Sequence, residues 1–291
     1  MAEKNKRLEQ NVSGEFYVDS SCIDCDACRR IAPASFTWTP DFDQSCVFHQ
    51  PETDDERLRA LMALVACPTS SIGTESGIDI GPGVEAFPEP AGEGIYFCGF
   101  TAESSFGASS YLIRRDDGNV LVDSPRAAEP LLKKLRAMGG VRYMFLSHRD
   151  DVADHKKFHR EFGCDRILHR GDVTRHTKDV EMQIEGEEPT SLADDLIVIP
   201  LPGHTLGSAA LLYRNEILFT GDHLWWSPRE KRLMASPAVC WYSWPEQIRS
   251  MERLLDYRFT EILPGHGRPY RAESAEAMRG ELVALIEWMK K

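Results

Sequence analysis

Three cysteines at three-residue intervals, Cys22, Cys25 and Cys28 in C-I-D-C-D-A-C, and a fourth far downstream, Cys67 in A-C-P-T, constrain this chain more than any other feature. Thiolates gathered in this way call for a soft metal centre. A close triplet completed by a distant Cys-Pro is the ligand pattern of one iron–sulfur cluster. Zinc on the same four thiols is the alternative. It fits less well, because paired zinc sites use two C-x2-C arms and this chain has a triplet and a singleton. With four thiolates present, a [4Fe–4S] cubane is favoured over a three-iron cluster.

In the two-cluster run C-x2-C-x2-C-x3-C-P, the fourth Cys ligates the other cluster. Here Ala32 stands at that place, followed by Pro33, and no second C-x2-C-x2-C run exists. The stretch from Gly14 to Gly73 resembles single-cluster bacterial ferredoxins in its cysteines, its prolines and the Asp-rich helix before Cys67. The resemblance implies a small α+β ferredoxin-like domain over residues 14–76.

A length of 291 residues suggests two domains, and 42% hydrophobic residues suffice for real cores. The 46 acidic residues outnumber the 34 basic ones, for a net charge of −12. That balance argues against a nucleic-acid surface, which needs a basic face. No apolar run is long enough to span a membrane, and the first residues lack the apolar segment of a signal peptide. Cys46, Cys98, Cys164 and Cys240 are scattered, and they read as free thiols of a cytoplasmic protein.

Asp54 to Ala66 has the apolar spacing of a helix, with Leu58, Leu61, Leu64 and Val65 on it. The Pro- and Gly-rich stretch 77–94 reads as a short linker. From residue 95 to 291, short strands alternate with helices. Ser109–Arg114 and Asn119–Asp123 form a hairpin, and Glu129–Met138 is a helix. Val141–Ser147, Arg166–His169, Leu196–Leu201 and Glu261–Leu263 are strands, with a further hairpin near Leu211–Thr220. Asp154–Phe162, Pro245–Leu255 and Ala272–Met289 are helices. Strands that end in loops rich in His and Asp predict a layered sheet with its site at one rim.

Four such loops stand out. The first runs from His148 through Asp150 and Asp154 to His155. The others are P-G-H-T-L-G around His204, T-G-D around Asp222 and L-P-G-H-G around His266. A lone histidine is more often structural than a ligand, but four at strand ends with Gly turns beside them indicate a metal site. At these residues the chain resembles the metallo-β-lactamase superfamily, over about residues 95–291. The form P-G-H-T-x-G is similar to that of glyoxalase II-like and persulfide dioxygenase-like members. The resemblance implies an α/β fold, a four-layered αβ/βα sandwich with a one- or two-metal site at its edge. It implies that His204 serves the first metal, His266 the second, and that Asp222 bridges them.

The first motif departs from the superfamily's H-x-H-x-D-H. Two residues are added and the second His is missing. Aligning Asp154 and His155 with the final D-H makes His148 the first ligand and puts Asp150 in place of the second His. An ungapped alignment leaves the first metal site crippled. The gapped version is preferred, because His148 directly ends the apolar strand. The implied ligand set is then His148, Asp150, Asp154, His155, His204, Asp222 and His266, with Asp154 and Asp222 in catalytic places. A carboxylate in place of an imidazole hardens the site, which then accepts iron, zinc or manganese. His169 reads as structural, and His223 as a donor behind the ligands. Trp225, Trp226, Trp241, Tyr242 and Trp244 read as core or as a pocket wall. Arg229, Lys231 and Arg232 read as a solvated charged loop or as a seat for an anionic substrate.

Three functions follow. The first is a redox enzyme in which the cluster exchanges electrons with the His/Asp metal site, fed by a redox partner protein and acting on a small molecule. The second is a zinc-dependent hydrolase of thioester, ester or phosphodiester bonds, with a structural or sensing cluster. The third is a non-catalytic electron carrier or sensor. The fusion itself puts the redox enzyme first, since hydrolysis needs no electron relay.

Overall fold

A computed structural model describes residues 2–41 and 43–291. The chain divides into two compact units, Met1–Arg142 with Ala153–Gly163, and Tyr143–Val152 with Cys164–Lys291. Among the described residues no helix is long and apolar enough to cross a membrane.

The first unit begins with the cysteine region. Strands Phe16–Val18 and Ile72–Thr74 pair antiparallel, and so do Phe36–Trp38 and Ser45–Val47. The helix Asp54–Ala66 has the extent its apolar spacing predicts. Its start is fixed by a capping box: the Thr53 hydroxyl accepts from Glu56 N–H at 3.2 Å, and the Glu56 carboxylate accepts from Thr53 N–H at 3.1 Å. Its last carbonyls would otherwise lack partners. Thr101 Oγ1 donates to Ala66 O at 2.7 Å and Arg126 Nη2 to Val65 O at 3.0 Å, so residues beyond position 95 close this helix end.

The stretch 77–94 is ordered secondary structure rather than a bare linker. It holds the short helix Gly81–Glu85 and the strand Glu89–Gly92, which pairs antiparallel with Ile95–Phe97. Gly83 permits this, because a Cβ there would lie 2.7 Å from the Leu61 backbone. Strands Ile95–Phe97, Tyr111–Ile113 and Val120–Val122 continue the antiparallel run, and helices Glu129–Ala137 and His155–Phe162 complete the unit.

In the second unit, Tyr143–Phe145, Asp165–His169 and Met182–Ile184 run parallel. A six-stranded sheet takes the order Thr190–Ala193, Leu196–Pro200, Ala209–Tyr213, Ile217–Gly221, Glu261–Pro264, Tyr270–Arg271. Leu196–Pro200 is antiparallel to Ala209–Tyr213, which is antiparallel to Ile217–Gly221, which is parallel to Glu261–Pro264. Three strands therefore point the same way, and the residues that follow them, His204, Asp222 and His266, emerge on one rim. Helices Trp244–Leu254 and Ala275–Met289 bury Met251, Leu254, Leu282 and Leu285 against Ile199, Leu212 and Leu218. That core keeps the sheet rigid beneath the loops.

Candidate metal centres

The thiol site lies in the first unit. Asp24 and Asp26 adopt left-handed backbone conformations (φ +58° and +65°), which Asp tolerates better than most residues. The loop thereby curls, and Cys22, Cys25, Cys28 and Cys67 line one small cavity. Ser45 N–H points at Cys22 Sγ (3.4 Å) and Ser71 N–H at Cys67 Sγ (3.2 Å). Burial pushes the Cys25 thiol up to about 12 and raises Cys28 as well. Bare thiolates are disfavoured there, so a cationic centre held by the four cysteines would have to offset the burial. Beside it, buried Arg29 binds Asp24 and Asp26 at 2.7 Å each and lies over the Trp38 ring. Gly107 packs against this seat, since a Cβ on it would meet Cys25 Cβ at 2.7 Å. All eight cysteines are free of disulfides.

The His/Asp site lies in the second unit. His148 follows the strand Tyr143–Phe145 and is buried. Asp222 lies at the centre of the group. Its Oδ2 is 3.7 Å from His148 Nε2, 3.9 Å from His204 Nε2 and 3.6 Å from His266 Nε2. Asp150 Oδ2 is 3.9 Å from His148 Nε2 and 3.7 Å from His204 Nε2. These separations exceed hydrogen-bond length but suit groups that share an ion. His148, Asp150 and His204 form one ligand cluster, and His148, Asp151 and Asp222 a second. His148 Nε2, His204 Nε2 and Asp222 Oδ1 are buried without a hydrogen bond among the described residues. Such unsatisfied atoms, grouped around Asp222, fit metal ions.

The imidazoles are aimed from behind. His204 Nδ1 donates to Val239 O at 2.6 Å, which leaves Nε2 as a bare acceptor facing the nest. Ser147 Oγ engages His148 Nδ1 at 2.9 Å. Burial holds the His148 pKa down, against the pull of Asp222, so the ring stays neutral. Burial also lowers His204, but Asp150 and Asp222 outweigh it and raise the net value. The His204 ring beside Asp150 keeps that carboxyl below its usual range.

The structure brings together five of the residues read from the motifs: His148, Asp150, His204, Asp222 and His266. Asp154 and His155, the other two expected ligands, follow on the segment Ala153–Gly163. There the two Asp154 oxygens are engaged by Ala127 N–H (2.8 Å) and Lys157 Nζ (2.9 Å), and His155 is buried at the start of its helix. The carboxylate that joins the nest is Asp151. A Cβ on Gly265 would meet Asp222 Oδ1 at 2.7 Å and Asp151 Oδ2 at 3.1 Å, so both oxygens border the turn before His266.

Asp172 was also missed. Buried, it accepts from Arg149 N–H (2.9 Å), Thr205 Oγ1 (2.5 Å) and Gly207 N–H (2.8 Å), tying the His148 loop to the His204 loop. Gly207 is required, because a Cβ would fall 2.5 Å from Asp172 N. A short polar run after a strand gave no signal of this brace. His223 is buried, and burial, with His204 nearby, lowers its pKa to about 3. His169 accepts from Gly171 N–H at 3.1 Å and caps a turn.

Fold and site together define a two-part protein: a thiolate seat for one iron–sulfur cluster, and a metallo-β-lactamase fold carrying a His/Asp nest. Residues 18–74 match the family described as the 4Fe-4S single cluster domain of Ferredoxin I. The metallo-β-lactamase DIM-1 aligns with a TM-score of 0.51 at 16% identity, covering 67% of this chain and 96% of its own. The structure of VMB-1 aligns with a TM-score of 0.51 at 15% identity, covering 67% and 95%. Two curated relatives are hydroxyacylglutathione hydrolases. That of Anaeromyxobacter dehalogenans is 35% identical over 124 residues, 40% of this chain and 46% of its own. That of Rhodospirillum rubrum is 31% identical over 119 residues, 39% and 46%. The chain thus spans about half the length of these relatives.

Proposed function

We propose that the second unit is the catalytic part of a metal-dependent hydrolase that acts on a small thioester or related ester, with the cluster domain as its structural or redox-sensing element. The position of Asp222 carries this reading. One carboxylate oxygen lies 3.6 to 3.9 Å from three imidazole nitrogens, where it would join them in holding metal ions. His148, Asp150 and His204 would hold the first ion, Asp151 and His266 the second, and Asp222 both. Metal ions bound there would polarise a carbonyl and lower the pKa of water.

The chain's own residues set the rest. Val239 O fixes the His204 tautomer, and Asp172 keeps the two ligand loops in register. Asp150 is the half-exposed member among buried neighbours, 46% against 1% for His148 and 4% for His204. Asp154 is assigned no metal; its carboxylate fixes the chain just before helix His155–Phe162. Similarity to hydroxyacylglutathione hydrolases favours a thioester among hydrolytic substrates.

A second reading, a redox enzyme served by a partner protein, is favoured by the donor set. Three carboxylates among six ligands are hard and suit iron or manganese as well as zinc. Metal analysis of the anaerobically purified full chain, with a thioester assay, separates the two. Zinc in the nest beside the cluster's own iron, with turnover lost on chelation, supports the hydrolase. Iron in excess of the cluster, without thioester turnover, replaces it with the redox enzyme. A nest that binds no metal ends both and leaves an electron carrier.

A further inference from the structure

Ten large apolar side chains are exposed among the described residues, and four of them, Leu206, Val239, Trp241 and Tyr242, sit on the two segments that frame His204. Isolated exposed apolar residues need no explanation, but a group bordering a polar nest does. The segment that carries three of them is firmly held. His204 Nδ1 donates to Val239 O, Trp241 and Tyr242 N–H groups both donate to His204 O (2.8 and 3.1 Å), and Ser243 N–H donates to Gly203 O (3.0 Å). The Trp241 ring lies 6.3 Å from the His204 ring, tilted by 59°, while 59% of Trp241 stays in contact with solvent. An exposed indole on a backbone anchored beside an imidazole of the nest offers an apolar surface to a bound molecule.

On the charged hairpin, Arg232 is the cation with an aromatic partner. The Arg232 guanidinium lies over the Trp288 ring at 4.4 Å, and Arg229 is 4.0 Å from Glu230. Beside His266, Trp225 packs over Gly267, where a Cβ would fall 2.4 Å from the indole. Next to both His204 and His266 the chain offers an aromatic wall.

We propose that Trp241, with Val239, Tyr242 and Leu206, is the subsite for an aromatic or long aliphatic group on the substrate. The substrate class is then a hydrophobic thioester or ester. The proposal rests on the nest being the reaction centre, but its test does not rest on turnover. The full metal-loaded chain is titrated calorimetrically with two non-reacting thioethers, S-benzyl- and S-methyl-N-acetylcysteamine. The benzyl compound should bind about tenfold more tightly, the value of one good aromatic contact. Trp241→Ala should remove that advantage, whereas Trp241→Phe should keep most of it, both with unchanged metal content and melting temperature. Equal binding of the two thioethers, or undiminished benzyl binding by Trp241→Ala, overturns the proposal. So does a Trp241→Ala chain that changes only its oligomeric state, which would make the wall a contact between copies. Benzyl binding that depends on Trp241, without hydrolysis of the matching benzoyl thioester, keeps the subsite and removes the hydrolase.

Discussion

Replacing Gly265 by alanine tests the nest with a single methyl group. Gly265 has no left-handed φ, so alanine adds no backbone strain. The new Cβ would stand 2.7 Å from Asp222 Oδ1 and 3.1 Å from Asp151 Oδ2. Ordinary contact begins near 3.4 Å, so Asp222 must swing by several tenths of an ångström. It has little room, because its other oxygen is 3.6 to 3.9 Å from three imidazoles. Overpacking of this kind costs about 1–3 kcal/mol. At about 1.4 kcal/mol per factor of ten, metal affinity should fall about 5- to 150-fold. The assay equilibrates protein against a graded chelator series and measures bound metal by mass spectrometry, with cluster absorbance as an internal check. Gly280→Ala is the control, with open space around it on the helix Ala275–Met289; it should leave affinity unchanged and stabilise the helix by about 1 kcal/mol. A folded Gly265→Ala protein that keeps wild-type metal affinity would refute the placing of Asp151 and Asp222 around this turn.

The two metal seats should respond separately: Cys67→Ser should lose or convert the cluster, while Asp222→Ala should strip metal from the nest and leave the cluster spectrum intact. A cluster spectrum unaffected by Cys67→Ser would mean a different ligand set. Stability should also report on Glu181. Burial opposes its charge, but Arg166 binds it with Nε at 3.0 Å, Nη2 at 2.7 Å and its N–H at 2.8 Å, so its pKa falls from 4.5 to about 2. A carboxyl depressed on folding adds stability above its unfolded value, and that share is lost as pH falls from about 4.5 to about 2. In urea unfolding, the gap between wild type and Glu181→Gln should narrow over that window; a constant gap across it would show that the pair does not titrate with folding.

Much of this molecule could be read from order alone, for local reasons. The cysteine spacing states its own chemistry, because one short loop and one Cys-Pro must meet around one centre. The helix Asp54–Ala66 carries its apolar period and its Thr53–Glu56 cap within adjacent residues. His204, Asp222 and His266 were legible because each follows a β-rich run and a Gly turn, and strand ends are where a sheet delivers side chains to a rim.

The remainder depended on contacts between distant residues. Pro and Gly in 77–94 resemble a linker until Glu89–Gly92 finds Ile95–Phe97 to pair with. Spacing could not choose among Asp150, Asp151 and Asp154, because successive loop residues point in directions fixed only by packing. In the folded chain Ala127 and Lys157 take Asp154, and Asp151 faces the turn at Gly265. Asp172 gained its bracing role from partners at positions 149, 205 and 207. The sequence by itself determined the two donor sets, one of thiols and one of imidazoles and carboxylates, since donor type is a property of side chains. Tertiary structure decided which carboxylates converge and which indole lies beside them, since convergence is a property of distances that only the closed fold sets.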